Sequence, residues 1–321
     1  MKRLFQNARE YLHSIHHDEI HLRGIIEISN RCGCRCNFCG LNAGNSALKR
    51  YRMSAGEIIR AAREGVGRGV KTIVLQSGED NWLDVAMLEF VIRAVKETGA
   101  AVTCSFGEMP FGHYERLRAA GADRYLLKFE TSNASLFESA TGGKSLKKRL
   151  EKITELKSLG FQTGTGNLIG LPGQTPDDII NDIFLVRDIG ADMGAFSPFI
   201  PHANTALGSQ KPGDLSLTLF TMLIARNMMP RLHIPATTAL ATLARGEGFS
   251  SIRCGRNENA SSGRCRHASG RLLGIMCGAN VIMPDVTPEK YRKDYEIYPG
   301  RAGRCESPEE SIEKCAMLVK L

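Results

Sequence analysis

The segment RCGCRCNFCG, residues 31–40, places four cysteines within eight positions. Three of them, Cys32, Cys36 and Cys39, have the spacing C-x3-C-x2-C. A structural zinc site usually has four ligands in two close pairs joined by a longer spacer, so one compact loop suits zinc poorly. Three thiolates on one loop suit three corners of a cubane 4Fe-4S cluster, whose fourth iron stays open to another ligand. The spacing therefore favours an iron–sulfur cluster held by these three cysteines.

The other cysteines leave alternatives open. Cys34 is either a substitute or extra ligand or a spare thiol on the loop, and the complete spacing of its neighbours favours the spare thiol. The cysteines towards the C-terminus either hold a second metal or are incidental thiols. Spacings of ten and eleven residues match no tight chelating loop, which favours incidental thiols. These later cysteines are Cys254, Cys265, Cys277, Cys305 and Cys315.

The composition sets the class of protein. The chain has 321 residues with 42% hydrophobic content, which suffices for a full-sized core. We find no apolar run long enough for a membrane span and no signal peptide, so we expect a cytoplasmic protein whose thiols stay reduced. The net charge of +8 comes without an aromatic-studded basic stripe. Anionic small molecules are therefore better expected partners than nucleic acid or a membrane.

The cysteine loop follows the first of eight short apolar or β-branched runs, which alternate with amphipathic helical patterns. Such alternation predicts parallel pairing, and eight units can close into a (β/α)8 TIM-type barrel of roughly 250 residues. An open doubly wound sheet is the second possibility. In a barrel, the cluster and its ligand would lie at the C-terminal mouth of the strands. The predicted strands are 24–29, 71–76, 101–106, 124–129, 161–170, 191–198, 231–236 and 279–284.

Three parts of the chain are expected. Residues 1–23 form an N-terminal helical segment, residues 24–285 the barrel, and residues 286–321 an extension with a terminal helix that Ser307 caps. The stretch 245–271 is rich in Gly, Ser and Arg, with six arginines and two glutamates, and is interpreted as an insertion in the barrel. The histidines that precede the barrel, His16, His17 and His21, are expected to be solvated.

The cysteine spacing after a first barrel strand resembles the radical S-adenosylmethionine (SAM) superfamily. In that superfamily the amino and carboxylate groups of SAM chelate the open iron, and one electron from the cluster cleaves the sulfonium to give a 5′-deoxyadenosyl radical. Longer phrases narrow the resemblance: IEISNRCGCRCNFCGLN, KTIVLQSGED, NLIGLPGQT, IPATTAL and GANVIMPDVTPEKYRKDYEIYPG. Together they are similar to the HydE-type maturases of FeFe-hydrogenase, from about residue 22 to residue 301.

The resemblance implies a set of SAM contacts. In the phrase QSGED, Glu79 would accept the methionine ammonium; Glu130 would bind the ribose hydroxyls, and Arg149 the methionine carboxylate. The alternative for Arg149 is the solvated face of a lysine-rich helix. Phe38 would cover the adenine edge or only pack against the loop. The full predicted set is Phe38, Gln76, Ser77, Gly78, Glu79, Ser105, Glu130 and Arg149.

Two further regions match the family. The glycines of GNLIGLPGQT would let the backbone approach the adenine, while Thr175 and Pro176 would start the next helix. Thr237 and Thr238, in IPATTAL, would hold an anionic substrate deep in the barrel or serve as helix caps. We assign no catalytic side chain, because cluster and SAM would carry the radical chemistry.

The function implied is assembly of the di-iron subcluster of the hydrogenase active site. The partners implied are a small molecule or small iron complex, an electron donor and companion maturation proteins. Enzymes similar to methylornithine synthase and biotin synthase are the alternative in the same superfamily, since they share the cluster loop. A non-catalytic metal-cluster protein is the alternative of another class. QSGED, IPATTAL and ANVIMPD favour the maturase.

Overall fold

The computed structural model describes residues 2–246, 268–301 and 306–319. Its eight strands are all parallel, in the order β6-β5-β4-β3-β2-β1-β8-β7. The strands are β1 (His21–Ser29), β2 (Thr72–Ser77), β3 (Ala101–Ser105), β4 (Arg124–Leu126), β5 (Gln162–Ile169), β6 (Met193–Pro198), β7 (Pro235–Ala236) and β8 (Val281–Ile282).

The two ends of this sheet meet. Met193 of β6 forms a parallel bridge with His233, two residues before β7. The backbone N–H of Gly194 donates to the His233 carbonyl at 2.9 Å, and the His233 N–H donates to Asp192 at 3.0 Å. The predicted (β/α)8 barrel is therefore confirmed, and the open doubly wound sheet is wrong.

Helices follow the strands around the barrel. They are α1 (Lys2–His16), α2 (Ala55–Gly67), α3 (Val85–Lys96), α4 (Phe111–Ala119), α5 (Ala134–Thr141), α6 (Leu146–Ser158), α7 (Pro176–Ile189), α8 (Leu215–Met228), α9 (Thr238–Gly246), α10 (Ala268–Met276), α11 (Glu289–Arg292) and α12 (Pro308–Val319). In the described ranges, no helix is long and apolar enough to cross a membrane.

Local sequence signals set several helix starts. Ser54 and Glu57 form a capping box at α2, as the sequence predicted. Thr175 caps α7 with Pro176 in its first turn. At α12, the Ser307 hydroxyl accepts the N–H of Glu310 at 3.1 Å, so the predicted terminal helix and its cap are confirmed.

Strand alternation separates the two faces of the barrel. Ile26 and Ile28 of β1 are fully buried in the main apolar cluster, which also contains α2 residues such as Ile58. Glu27, between them, must point the other way, into the barrel. The charged residue inside an apolar strand is thus placed in the lumen, where chemistry can use it.

The strand bounds differ from the prediction mainly near the C-terminus of the barrel. β7 and β8 are two residues long, where six were predicted for each. β4 ends at Leu126, and Glu130 forms only an isolated bridge with Asn167 of β5. Helix α9 ends and helix α10 begins within the predicted insertion, residues 245–271. The part between them, residues 247–267, lies outside the described residues.

Candidate active site

The cysteine segment, here called the cluster loop (residues 31–39), lies directly after β1 at the C-terminal mouth of the barrel. Cys32, Cys36 and Cys39 are half-buried. Burial raises the pKa of Cys39 to about 12, and hydrogen bonding to Cys34, with burial, raises the pKa of Cys32 and Cys36. When a metal binds these thiols it displaces their protons, because the ligands of iron must be thiolates.

Cys34 lies among the same sulfurs. Hydrogen bonds from Cys32 and Cys36 hold the pKa of the Cys34 thiol far below its ordinary value. Glu79 and Lys144 also interact with Cys34. The structure therefore places Cys34 inside the group of cluster-loop thiols, although its spacing made it superfluous.

Arg50 holds the loop in shape. Its guanidinium donates to four backbone carbonyls: Asn30 at 2.6 Å, Leu41 at 2.8 Å, Asn42 at 2.7 Å and Asn45 at 3.2 Å. These carbonyls bracket the three predicted ligands on both sides. A fork of N–H donors can join four acceptors in this way, which a lysine ammonium cannot.

Two neighbouring segments hold the loop in place by backbone hydrogen bonds. The N–H of Gly33 donates to the Glu79 carbonyl at 2.8 Å, and the N–H of Asn37 donates to the carbonyl of Ala140, at the end of α5, also at 2.8 Å. Gly78 approaches so closely that a Cβ there would lie 2.7 Å from the Cβ of Cys32 and would also collide with the Arg31 carbonyl. The predicted residue Gly78 is thus required by close packing against the loop.

Four charged side chains meet beside the loop. The Lys144 ammonium contacts both carboxylate oxygens of Glu79, at 2.7 and 2.9 Å, and Glu108 at 3.4 Å. Arg149 is buried; its Nε donates to Glu108 at 2.5 Å and its Nη1 to the Lys128 carbonyl at 2.5 Å. Arg149 therefore does not lie on a solvated helix face, and Lys144 belongs to a charge group that the sequence analysis did not predict.

Glu130 has an unusual backbone. Its φ is 62°, in the left-handed region that non-glycine residues rarely adopt. Its Oε2 lies 3.0 Å from Lys128 Nζ but forms no hydrogen bond of good geometry. Such strain persists only where the surroundings impose it, and it clusters at ligand sites. The backbone strain at Glu130, four residues after β4 ends, fits the ligand role that the resemblance implies for this residue.

The other predicted SAM contacts line the same mouth. Ser105 ends β3 and is half-buried, and Gln76 of β2 donates to the Tyr295 hydroxyl at 2.9 Å. Ser77 donates to the Gly78 carbonyl at 2.6 Å. Phe38 packs in a small apolar cluster with Leu171 and Phe199, next to the segment that follows β5. Packing and an adenine contact are compatible for this ring.

Over the described residues, no group of three or more His, Cys, Asp or Glu side chains is arranged to hold one metal ion. The three predicted ligands of the cluster loop are cysteine thiols. Their donor type, sulfur only, is the one that iron–sulfur clusters use.

Comparisons with known proteins agree with this geometry. The sequence model of the radical SAM superfamily matches residues 26–186. The [FeFe] hydrogenase maturase subunit HydE of Thermotoga maritima is 42% identical over 298 residues, which are 93% of this chain and 79% of that protein. The chain belongs to the HydE group of the radical SAM superfamily.

Two further likenesses are weaker. The biotin synthase of Anaeromyxobacter dehalogenans is 29% identical over 242 residues, covering 73% of this chain and 66% of that enzyme. The crystal structure of a methylornithine synthase superposes with a TM-score of 0.73 at 24% identity, over 88% of this chain and 76% of the other. The sequence identity to biotin synthase is well below the identity to HydE, and the likeness to methylornithine synthase shows the fold alone.

Thr237 and Thr238 have local partners in this HydE-group chain. The Thr237 hydroxyl accepts the N–H of Leu240 at 3.3 Å, as a helix cap does. The Thr238 hydroxyl lies 2.6 Å from that of Tyr298. Capping is therefore present at Thr237, and the Thr238 hydroxyl is paired with that of Tyr298.

A buried charge cluster in the barrel was also missed. Glu27 of β1 pairs with Arg301 at 2.5 Å, and Arg301 lies 3.5 Å from Asp285. Burial raises the pKa of Glu27 to about 8, although the Arg301 charge opposes this. The one signal in the sequence was the lone glutamate in GIIEIS.

The expectation of solvated histidines is wrong for His16 and His21. Both pack against His233 at the N-terminal end of the barrel, with ring centroids 5.7 and 5.0 Å from it. Burial, followed by the charge of Arg23, lowers the pKa of His233 to about 3. Arg23 is itself buried, and its pKa falls to about 10 by burial and by repulsion from Arg124.

Two of the five later cysteines, Cys277 and Cys315, lie within the described residues. Cys254, Cys265 and Cys305 lie outside the described residues. Cys277 is buried in the main apolar cluster, and Cys315 is buried and accepts a hydrogen bond from Arg271 at 2.8 Å. Both therefore have ordinary structural surroundings.

Proposed function

We propose that this chain is a radical SAM enzyme that acts in the maturation of FeFe-hydrogenase. The observation that carries the proposal is the 42% identity to the Thermotoga maritima maturase subunit along 93% of the chain. The supporting structural observation is a sulfur-donor loop at the mouth of a closed parallel barrel, where barrel enzymes have their active sites.

In this proposal, Cys32, Cys36 and Cys39 hold a 4Fe-4S cluster. The family uses this cluster together with SAM. When bound, the two supply a one-electron cleavage of the sulfonium that yields a 5′-deoxyadenosyl radical. The protein keeps the three thiols on one loop, and Arg50 fixes that loop by its backbone carbonyls.

The side chains around the loop bind and orient SAM. Glu79 accepts hydrogen bonds from the methionine ammonium, and the carboxylate of Glu130, whose backbone is held in the left-handed region, accepts hydrogen bonds from the ribose hydroxyls. Arg149 supplies positive charge near the methionine carboxylate. Gln76, Ser77, Gly78 and Ser105 shape the wall of the mouth, and Phe38 covers the adenine edge. The Thr237 and Thr238 pair faces the substrate.

The substrate and partners follow from the HydE relationship. We propose a small molecule or small iron complex as substrate, an electron donor, and companion maturation proteins. We place this work in the cytoplasm, because thiolate ligands of iron must stay reduced. Methylornithine-synthase-like and biotin-synthase-like reactions have weaker support, since the biotin synthase relative is 29% identical and a 3-methylornithine synthase is 28% identical.

Two assays test the proposal. Anaerobically reconstituted protein with a strong reductant should convert SAM into 5′-deoxyadenosine, and Cys36→Ser should abolish this. Cys277→Ala is the matched control, since that thiol lies in the apolar core. In a cell-free hydrogenase maturation mixture lacking its HydE, the chain should restore hydrogenase activity.

The outcomes separate the alternatives. SAM cleavage without restored hydrogenase activity would support a small-molecule radical SAM enzyme instead. Reconstituted protein that retains iron but releases no 5′-deoxyadenosine would support a non-catalytic cluster protein.

A further inference from the structure

Lys144 stands in an unusual segment. It lies in GGKS, between the end of α5 and the start of α6. Gly142 and Gly143 before it have φ values of 72° and 98°, and Ser145 after it caps α6. The backbone at Gly142 touches Arg35 of the cluster loop, since a Cβ at Gly142 would lie 2.6 Å from the Arg35 carbonyl. The turn thus fixes Lys144 beside the predicted cluster ligands.

The ammonium of Lys144 lies where a ligand ammonium is expected. It contacts both oxygens of Glu79 at 2.7 and 2.9 Å, and Glu108 at 3.4 Å. Lys144 and Glu79 are both about four-fifths buried, so this pair is shielded from water. The Lys144 charge also acts on the Cys34 sulfur, which places it near the loop thiols.

Arg149 has other partners. Its Nε is bonded to Glu108 and its Nη1 to the Lys128 carbonyl, and its guanidinium lies 5.5 Å from the Phe137 ring centre. Three contacts fix this buried side chain. Lys144, by contrast, is held mainly by the carboxylate of Glu79, which would bind the methionine group of SAM.

The charges balance in a way that favours an exchange. Glu79, Glu108, Lys144 and Arg149 carry two negative and two positive charges. The methionine group of SAM carries an amino group and a carboxylate on a single carbon. An amino group bound to the open iron would be neutral and would donate its N–H to Glu79 in place of Lys144, while the carboxylate would add one negative charge that the released Lys144 ammonium can balance.

We propose that Lys144 is a SAM-binding residue that pairs with Glu79 in the free protein and with the methionine carboxylate in the complex. This inference rests on the proposed function and identifies a cation that binds the amino-acid end of SAM. It explains why a buried lysine lies on Glu79 without any role in the core. It also explains why the turn that carries it is made of glycines and touches the cluster loop.

The test compares two nucleosides. SAM carries the methionine ammonium and carboxylate, whereas 5′-methylthioadenosine lacks both. Their dissociation constants are measured by equilibrium dialysis on reconstituted, oxidised protein, so no turnover is required. The variants are Lys144→Met, Lys144→Arg and, as matched control, Lys148→Met, whose lysine is exposed four residues further on. Iron content is determined for every preparation.

We expect Lys144→Met to weaken SAM binding about 10- to 100-fold, the effect of one lost charge-assisted hydrogen bond. Binding of 5′-methylthioadenosine should stay within about twofold, and Lys144→Arg should retain most of the SAM affinity. Lys148→Met should match the wild type.

Three outcomes would overturn the proposal. Unchanged SAM binding in Lys144→Met would show that the lysine does not touch the ligand. Equal weakening for both nucleosides would assign it a structural role only. If the wild-type protein with a full complement of iron binds neither nucleoside, the proposed function itself fails and takes this inference with it.

Discussion

The close approach of Gly78 to the cluster loop makes a specific prediction. In Gly78→Ala, the new Cβ would lie 2.7 Å from the Cβ of Cys32 and would collide with the Arg31 carbonyl. Ordinary contacts begin at 3.4 Å, so the Cys32 Cβ has to move by about 0.7 Å. Neither contacted atom is the end of a flexible side chain, so backbone must shift.

That movement is large for a metal ligand. Metal–ligand distances hold within about 0.2 Å, so a displacement of this size at Cys32 exceeds the tolerance more than threefold. Overpacking of this kind also costs about 1–3 kcal/mol of stability. We therefore expect Gly78→Ala to lose most of its iron on anaerobic desalting and to unfold at a lower temperature than the wild type.

A second glycine supplies the control. Gly56 in α2 has open space beside it, since a Cβ at this position would meet nothing within 4 Å. Gly56→Ala should hold wild-type iron and be more stable by about 0.5–1 kcal/mol, as helical glycine replacements are. Iron per chain and thermal unfolding are measured for both variants. A Gly78→Ala protein with wild-type iron content and melting temperature would refute this reasoning.

Three further predictions concern other residues. Glu130→Gly relieves a φ of 62°, so its melting temperature should not fall, while SAM binding weakens about 10-fold or more; equal affinity would remove Glu130 from the site. Arg50→Lys loses the fork onto four carbonyls and should release iron faster than Arg60→Lys, an exposed control; equal release rates would contradict this. His233 faces His16, His21, Arg23 and Arg124, and burial lowers its pKa from 6.5 to about 3, so the folded protein excludes a proton that the unfolded chain binds. Stability should therefore decline as the pH drops below 6.5, by less than about 1.4 kcal/mol per pH unit because the ring is partly exposed. In thermal unfolding between pH 8 and 5, His233→Asn should flatten this pH dependence.

The sequence predicted the barrel well because its signals are local. Eight short apolar runs alternate with capped helices, and Ser54 with Glu57 formed the capping box that their spacing indicates. The short strands β7 and β8 were predicted too long, because apolar runs show burial but not where backbone pairing stops.

The site was predictable where residues are close in sequence, as in the cluster loop. It was not predictable where folding brings distant residues together. Lys144 reaches Glu79 across 65 positions and Arg301 reaches Glu27 across an even longer separation, and neither partner has a local signal. His21 looked solvated because its partner, His233, lies near the far end of the barrel sequence.

Cys34 shows the same limit within a short stretch. Spacing alone made it superfluous, yet the fold of the loop places its sulfur among those of Cys32 and Cys36. A linear motif counts residues, whereas the direction of each thiol depends on the turn that the backbone takes.

The most direct test of an open iron at the barrel mouth is a paramagnetic resonance measurement on the reduced, reconstituted protein. SAM with a ¹⁵N-labelled amino group should shift the cluster signal and show coupling between that nitrogen and the iron, as expected if Cys32, Cys36 and Cys39 leave one iron open. A cluster signal that SAM leaves unchanged, or a loop that binds zinc in place of iron under oxygen-free conditions, would contradict it.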